Sequence, residues 1–259
     1  MLLTGNYLFA QVIPVGFIKK GGYPSTGTNP ITENLLLYLD ATRTASYGGT
    51  GTTWTDISGQ LPSNDATLSG SPTFESGSFT FAANKYALTS QVIPSLSSAT
   101  FIAWVNPSEW YSGTTLNKVQ ENYTGIIFSR GGKGQATNRT SGLNFYKNSV
   151  VGYSWDDNFS WWNSNLVVPN YSWSMIALTI SSTQAVVYLC NSNGISSATN
   201  VASHPAVSGF NFFIGYDPAY GSTSRILRGK IATSMVYSTA LTSTQITQIF
   251  NAQKAAFGL

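Results

Sequence analysis

The chain has 259 residues, 42% of them hydrophobic and only 9% charged, with a formal net charge of +3. Ordinary globular proteins carry about 25% charged residues; here Ser, Thr, Asn and Gly fill the polar positions, which favours strands and turns over solvated helices. The 13 Lys and Arg residues are scattered, with no run longer than Lys19-Lys20, which excludes the concentrated basic face of a nucleic-acid binder. The single cysteine, Cys190, excludes an intrachain disulfide and a multi-thiolate metal centre, and reads as a small buried hydrophobe.

Residues 1–21 form an apolar opening segment. No basic stretch precedes its apolar part, and Asn6, Gln11, Pro14 and Gly16 interrupt it. Neither a signal peptide nor a membrane span of about 20 apolar residues is expected, and with no disulfide the chain is expected to fold in a cytosol. Residues 22–33, "GYPSTGTNPITE", read as a flexible linker, so 1–33 is expected to be an anchoring arm and linker and 34–259 the folded domain.

Within the domain, short apolar runs alternate with turn signals: 35–39, 78–81, 86–88, 100–105, 125–129, 143–146, 150–155, 173–180, 184–189, 210–215 and 229–237. In "TFIAWVNP", Phe101, Ala103 and Val105 share one face while Ile102 and Trp104 share the other. Both faces are apolar, which predicts a central strand covered on both sides. Many short strands at close spacing predict a sandwich or barrel. One helix is predicted near the end, in "LTSTQITQIFNAQKAAFGL": Thr242 and Gln245 have capping-box spacing, Ile246, Ile249 and Phe250 line one face, and Gly258 can close the end.

Four segments then carry a resemblance. They are "LYLDA" followed by "TWTDISG" (Leu37, Leu39, Asp40, Ala41, then Thr53, Trp54, Asp56, Ser58, Gly59), "FIAWVNP" (101–107), "IGYD" (214–217), and the ending from Gly229 through "YSTALTSTQI". Together they resemble laminin-G-like domains of the concanavalin A-like lectin/glucanase superfamily. The resemblance implies an all-β, antiparallel jelly-roll sandwich with one short C-terminal helix, preceded here by the apolar arm. It leaves function open, because such domains bind sugars or proteins, hydrolyse glycans, or only build structures. Where the family strand often reads "F-D-G-x-x-D-Y", this chain reads "FAANKYA" (81–87), with Ala82 and Lys85 in place of acids. That weakens an inherited calcium site, which wants six to eight oxygen ligands.

Two-carboxylate glycosidases hold their acids across the scissile bond. Among the ten acids of this chain no two are two positions apart, and the adjacent pair Asp156–Asp157 would point to opposite faces of a strand. His204 is the only histidine and sits in a loop-like stretch, where it is expected to bond a neighbouring loop. No phosphate-cradling motif opens a helix. Catalysis is not expected.

The densest stretch is "GYSWDDNFSWWN" (152–163). For a sugar surface, Trp155, Trp161 and Trp162 would supply flat faces, Asp157 and Asn158 hydrogen bonds, and Trp110 with Tyr111 a second aromatic edge. In the structural reading, Trp155 packs under the loop while Asp157 and Asn158 hold the turn. No cofactor is expected; Asp156 and Asp157 are the only candidate calcium ligands. The whole suggests a non-enzymatic structural protein of a virion, on a bacteriophage particle as capsid decoration, fibre or tail-associated protein. It would be made in the host cytoplasm and carried on the virion surface. Residues 1–33 would dock on other virion proteins or on further copies of the chain, and the lectin-like domain would bind a cell-surface glycan, with no nucleic-acid partner. A free carbohydrate-binding module of a cell and a glucanase-type glycoside hydrolase are the alternatives.

Overall fold

β-branched and aromatic residues at every second position need two apolar layers to cover them, and the chain supplies them as two stacked sheets and a helix. The computed structural model describes residues 26–27, 29–92, 95–108, 110–112, 115–117, 124–130, 140–156, 162–207, 211–217 and 225–259. In chain order the strands are β1 (Leu35–Asp40), β2 (Thr53–Trp54), β3 (Ala66–Ser69), β4 (Thr73–Glu75), β5 (Ser78–Phe81), β6 (Tyr86–Thr89), β7 (Ala99–Pro107), β8 (Trp110–Ser112) and β9 (Thr115–Asn117). They continue as β10 (Thr124–Arg130), β11 (Thr140–Phe145), β12 (Val150–Ser154), β13 (Trp162–Val167), β14 (Ser174–Ile180), β15 (Ala185–Asn191), β16 (Gly194–Asn200), β17 (Phe212–Ile214) and β18 (Gly229–Tyr237), before helix α1 (Ser243–Gln253).

Sheet A runs β16-β15-β14-β7-β18-β5-β4, with β1 sharing the free edge of β18 beside β5. Sheet B runs β13-β12-β11-β10-β17-β6-β3-β2, and β8 and β9 form a separate ribbon. Every strand pair is antiparallel, so the expected all-β antiparallel sandwich is what the sequence builds. No described helix is long and apolar enough to cross a membrane.

The alternation in β7 decides the layering. Phe101, Ala103 and Val105 face sheet B and join Leu37, Phe81, Ile127, Phe145 and Leu178 in the core between the sheets. Ile102 and Trp104 face the other way and join Met175, Ala177, Met235 and the buried face of α1 (Ile246, Ile249, Phe250). The helix starts where its sequence predicts: the Gln245 N–H donates to Thr242 Oγ1 (3.3 Å), and the Thr242 N–H donates to Gln245 Oε1 (2.9 Å). Gly258 closes the following 3-10 turn at φ 74°, a left-handed conformation that favours glycine.

The expected linker is not free over its described residues. Thr26 and Asn29 are buried. Thr26 Oγ1 donates to Asp40 Oδ2, Asn29 Nδ2 donates to Tyr237 Oη (2.8 Å), and Tyr237 Oη donates to Ile31 O (3.1 Å). A Cβ on Gly27 would meet the Ala252 carbonyl oxygen at 2.2 Å, so only glycine lets the segment lie against α1. Residues 26–27 and 29–31 therefore pack on the outside of sheet A beside the helix, because polar side chains here find buried partners that a composition count does not reveal. Residues 1–25 lie outside the described residues.

Burial pushes the Tyr237 hydroxyl from an ordinary 10.0 up to about 12, with the Asn29 hydrogen bond opposing it. Burial also pushes the Cys190 thiol from 9.0 up to about 12. Tyr38 is raised by burial and by the nearby charge of Asp40. A raised folded-state pKa means that the fold favours the protonated group. The stability this supplies is complete below the unfolded-state value and is lost as pH rises through the folded-state value. The urea midpoint is thus expected to hold from neutrality to about pH 9, then fall progressively toward pH 12. An unchanged midpoint at pH 12 would refute this.

Candidate functional site

The aromatic-rich stretch around Trp155 enters the structure as architecture. Trp155 is 0% exposed, and its Nε1–H donates to Pro205 O (2.7 Å). Its ring is part of the inter-sheet core, so it offers no face to a sugar; an indole this large is most stable where both its rim and its N–H are satisfied. Trp162, on edge strand β13, is half-buried and packs beside the core residue Tyr153 (ring centroids 5.8 Å apart). Asp156 is buried, at φ +55°, and its N–H donates to Ser141 Oγ (3.1 Å). Trp110 and Tyr111 belong to the β8–β9 ribbon, pairing with Asn117 and Leu116. Asp157, Asn158 and Trp161 lie outside the described residues. No group of three or more His, Cys, Asp or Glu that could hold a metal ion occurs among the described residues.

The other titratable candidates are tied into the frame. His204 is buried, with Nε2 2.8 Å from Tyr153 Oη, which also accepts from Asn200 Nδ2 (2.7 Å). Burial holds its ring below the ordinary 6.5. Its side chain bonds Tyr153 of strand β12 rather than the neighbouring loop expected from the sequence. Asp217 is fully buried and paired with Arg225 (2.8 Å). Asp56 accepts from the N–H groups of Tyr38, Ser58 and Asn64, and its own N–H donates to Asp65.

A different surface collects the groups that recognition needs. In antiparallel sheets directly opposed residues share a face. Ala87 pairs with Ile214 in the core, so their neighbours Leu88 and Phe213, also paired, face outward from sheet B. Tyr86 follows by alternation. Tyr86, Phe213 and Tyr216 form one aromatic cluster there: Tyr86 and Tyr216 are stacked at 5.0 Å and 28°, and Phe213 lies 5.9 and 6.0 Å from them. Tyr86 and Phe213 are half-buried while Tyr216 lies beneath. Burial raises the pKa of Tyr216 first, and the nearby Tyr86 and Asp217 add to the effect.

Beside the aromatics the same outer face turns polar. One row crosses four strands: Gly125 of β10, Asn144 of β11, Gly152 of β12 and Asn163 of β13. Gly125 carries the carbonyl of Tyr216 across its Cα; a Cβ there would come within 2.4 Å of it. The row is thus continuous with the aromatic cluster through Tyr216. Thr140 and Ser154 lie further along, hydrogen-bonded to each other at 2.8 Å. Thr140, Asn144, Gly152 and Ser154 are buried, so the accessible part of this arrangement is the half-exposed edge of Tyr86 and Phe213. Sequence reasoning did not find it: Tyr86, Asn144 and Phe213 stand on three separate strands, and the only local signal was the outward parity of Tyr86 and Phe213.

Residues 63–247 match a laminin-G-type family model described as "Concanavalin A-like lectin/glucanases superfamily". The match covers well over half of the chain, and the chain belongs to that superfamily. Among solved structures, it is similar to Trypanosoma rangeli sialidase in complex with 2,3-difluoro-KDN (TM-score 0.58, 16% identity, covering 91% of this chain and 37% of the sialidase). It is also similar to a mutant of that sialidase displaying trans-sialidase activity (TM-score 0.55, 15% identity, 91% and 37%). A third is botulinum neurotoxin type C, whose cell entry depends on interaction with two ganglioside molecules (TM-score 0.56, 13% identity, 85% and 52%). The chain spans only about a third to a half of these proteins, and at such identities the likeness is one of fold. No curated protein matches it.

Proposed function

We propose that this domain is a non-catalytic glycan-binding module whose ligand lies on the outer face of sheet B. The observation that carries the reading is the Tyr86–Phe213–Tyr216 aromatic cluster on the outer face of sheet B, with Tyr86 and Phe213 half-buried. A pyranose has a C–H face that packs on aromatic rings and a hydroxyl rim that wants fixed amides and hydroxyls. The described acids support a binding role over a hydrolytic one, since Asp40, Asp56 and Asp65 accept hydrogen bonds within the frame and Asp217 pairs with Arg225. The ganglioside-dependent toxin and the sialidases show that this fold occurs in proteins that handle sugars.

The finer reading is display on a viral particle, with the apolar N-terminal segment as the assembly device. It draws support from the 9% charge content and from the apolar residues ahead of the fold. One experiment addresses both levels. The full chain, a chain starting at Thr26 and Tyr86→Ala are measured on immobilised glycans and by light scattering. Tyr86→Ala is expected to bind at least tenfold more weakly without a change in fold, and the shortened chain to keep its intrinsic affinity but lose self-association. Equal binding by Tyr86→Ala and the parent chain would overturn the glycan site. A full chain that stays monomeric would overturn the assembly role.

A further inference from the structure

Two strongly exposed aliphatic side chains meet at one cavity. Leu61 is 92% exposed and Val92 is 65% exposed. Leu61 comes from the loop between β2 and β3, and Val92 from the loop after β6. Both line a cavity of about 270 Å³, together with Pro62 and with Leu36 of β1, which packs against the inter-sheet core. Single exposed aliphatic residues are ordinary on a protein surface, but a pair brought from separate loops to one concavity marks a place where apolar surface is kept open. The rest of the described lining is three carboxamides, Gln60, Asn64 and Gln91; no charged or aromatic side chain is among it.

Two of these amides are oriented by partners that leave no choice. The Gln91 N–H can only donate, and it does so to Asn64 at 2.7 Å. The accepting atom is therefore Oδ1, and the Asn64 NH2 is what remains. The Leu35 carbonyl can only accept, and it lies 2.9 Å from Gln60 Nε2. There the remaining atom is the acceptor Oε1. Asn64 is 5% exposed, its backbone N–H is held by Asp56 (3.2 Å), and its Nδ2 has no hydrogen-bond partner among the described residues. Polar groups on a residue this buried are nearly always paired, because an unmet donor carries a desolvation penalty. The cavity thus presents one fixed donor and one fixed acceptor beside an aliphatic wall.

We infer that this cavity binds an extended, uncharged peptide segment through one branched aliphatic side chain and the peptide groups that flank it. The side chain lies among Leu36, Leu61, Pro62 and Val92. Each peptide group carries one acceptor and one donor; a flanking carbonyl takes a proton from Asn64 Nδ2, and a flanking N–H donates to Gln60 Oε1. A charged side chain would enter without a partner, at a high desolvation cost. A sugar ring is the poorer match, since no flat aromatic face lines the cavity. None of Tyr86, Phe213 and Tyr216 belongs to the lining, so the inference stands apart from the glycan-binding reading. Residues 1–18, which hold no charged side chain, have the required chemistry when offered by a further copy of the chain, as does an apolar segment of another protein.

The test titrates the isotope-labelled full chain with N-acetyl-leucine N-methylamide and follows the side-chain amide signals of Gln60 and Asn64 by nuclear magnetic resonance. The comparison probes are the glycine analogue, which lacks the aliphatic side chain, the leucine methyl ester, which lacks the N–H, the glutamate analogue, which is charged, and methyl glucoside. The leucine amide is expected to move both signals and to bind about tenfold more tightly than the glycine analogue, and more tightly than the ester and the glutamate analogue. Val92→Asp puts a charge on the rim at an exposed position, so its melting temperature should hold while binding falls about tenfold. Asn64→Asp keeps an acceptor for the Gln91 N–H but removes the donor, and should also lose binding; if it does not fold, Val92→Asp carries the comparison. Signals that stay still, or binding unchanged in both variants, would overturn the inference. Equal binding of the glutamate analogue overturns the uncharged class, and methyl glucoside moving the two signals where the leucine amide does not makes the cavity a sugar site and overturns the peptide class. Light scattering then separates the sources: self-association of the full chain lost in Val92→Asp assigns the segment to a further copy, and self-association kept while leucine-amide binding is lost assigns it to another protein.

Discussion

Asp56→Ala is expected to lower folding stability by about 4 kcal/mol. Asp56 is 8% exposed, and its carboxylate accepts four hydrogen bonds: from the Tyr38 N–H (2.9 Å), the Ser58 N–H (2.9 Å), the Ser58 hydroxyl (2.9 Å) and the Asn64 N–H (3.2 Å). Tyr38 lies in β1, Asn64 in the loop before β3, and Ser58 in the loop between them. One side chain thus ties sheet A to the loop that joins β2 and β3 of sheet B. Removing it strands backbone donors that cannot reach water from inside the fold, a larger penalty than the loss of a contact. Urea unfolding followed by tryptophan fluorescence measures this, with the buried Trp54 close by in sequence. Asp56→Asn keeps the shape but exchanges an acceptor for a donor, and should fall between the two. A loss below about 1 kcal/mol in Asp56→Ala would show that the loop holds itself.

The second large effect concerns Trp104. It is fully buried on the outer face of sheet A, with its ring stacked on Phe257 (4.0 Å, 16°) and Phe250 (5.8 Å, 20°). Its Nε1–H donates to Gln253 Oε1 at 2.8 Å. One side chain therefore holds both α1 and the turn that follows it. Trp104→Ala should cost about 3–5 kcal/mol, because it leaves a large cavity and strips the buried Gln253 Oε1 of its Trp104 donor. The loss should be uneven: helical circular dichroism is expected to disappear at lower denaturant than the near-ultraviolet signal of the sheets, since the removed ring stacks on both Phe250 and Phe257. If both signals keep the parent midpoint, the helix is held elsewhere.

What the sequence revealed followed from how local each signal was. The two-faced apolar run of β7 and the capping box of α1 are written within a few neighbouring residues, and both formed as expected. β16, "GISSATN", was missed because an edge strand mostly exposed to solvent needs no apolar alternation. Trp155 sat in a stretch whose aromatic density resembled a recognition surface; its burial depends on the carbonyl of Pro205, fifty residues away. The linker looked free by composition, yet Asn29 finds Tyr237 across the molecule. The face around Asn144 was invisible for the same reason. It exists only once β6, β11 and β17 are laid into one sheet, and strand order over such separations is set by the global fold.

Residues 26–27 and 29–31 pack beside α1 on the outside of sheet A, while the Tyr86–Phe213 face looks out from sheet B. The molecule therefore has a front and a back. The helix and the described residues before β1 occupy the back, and the half-exposed Tyr86 and Phe213 point the opposite way. Copies held by their entering segments on a common support would stand side by side with their fronts directed outward. Neighbouring copies could crowd at their flanks without shading one another's fronts. A dense layer of such domains would then act as a single many-handed surface, whose grip depends on the number of fronts engaged at once more than on the strength of any one.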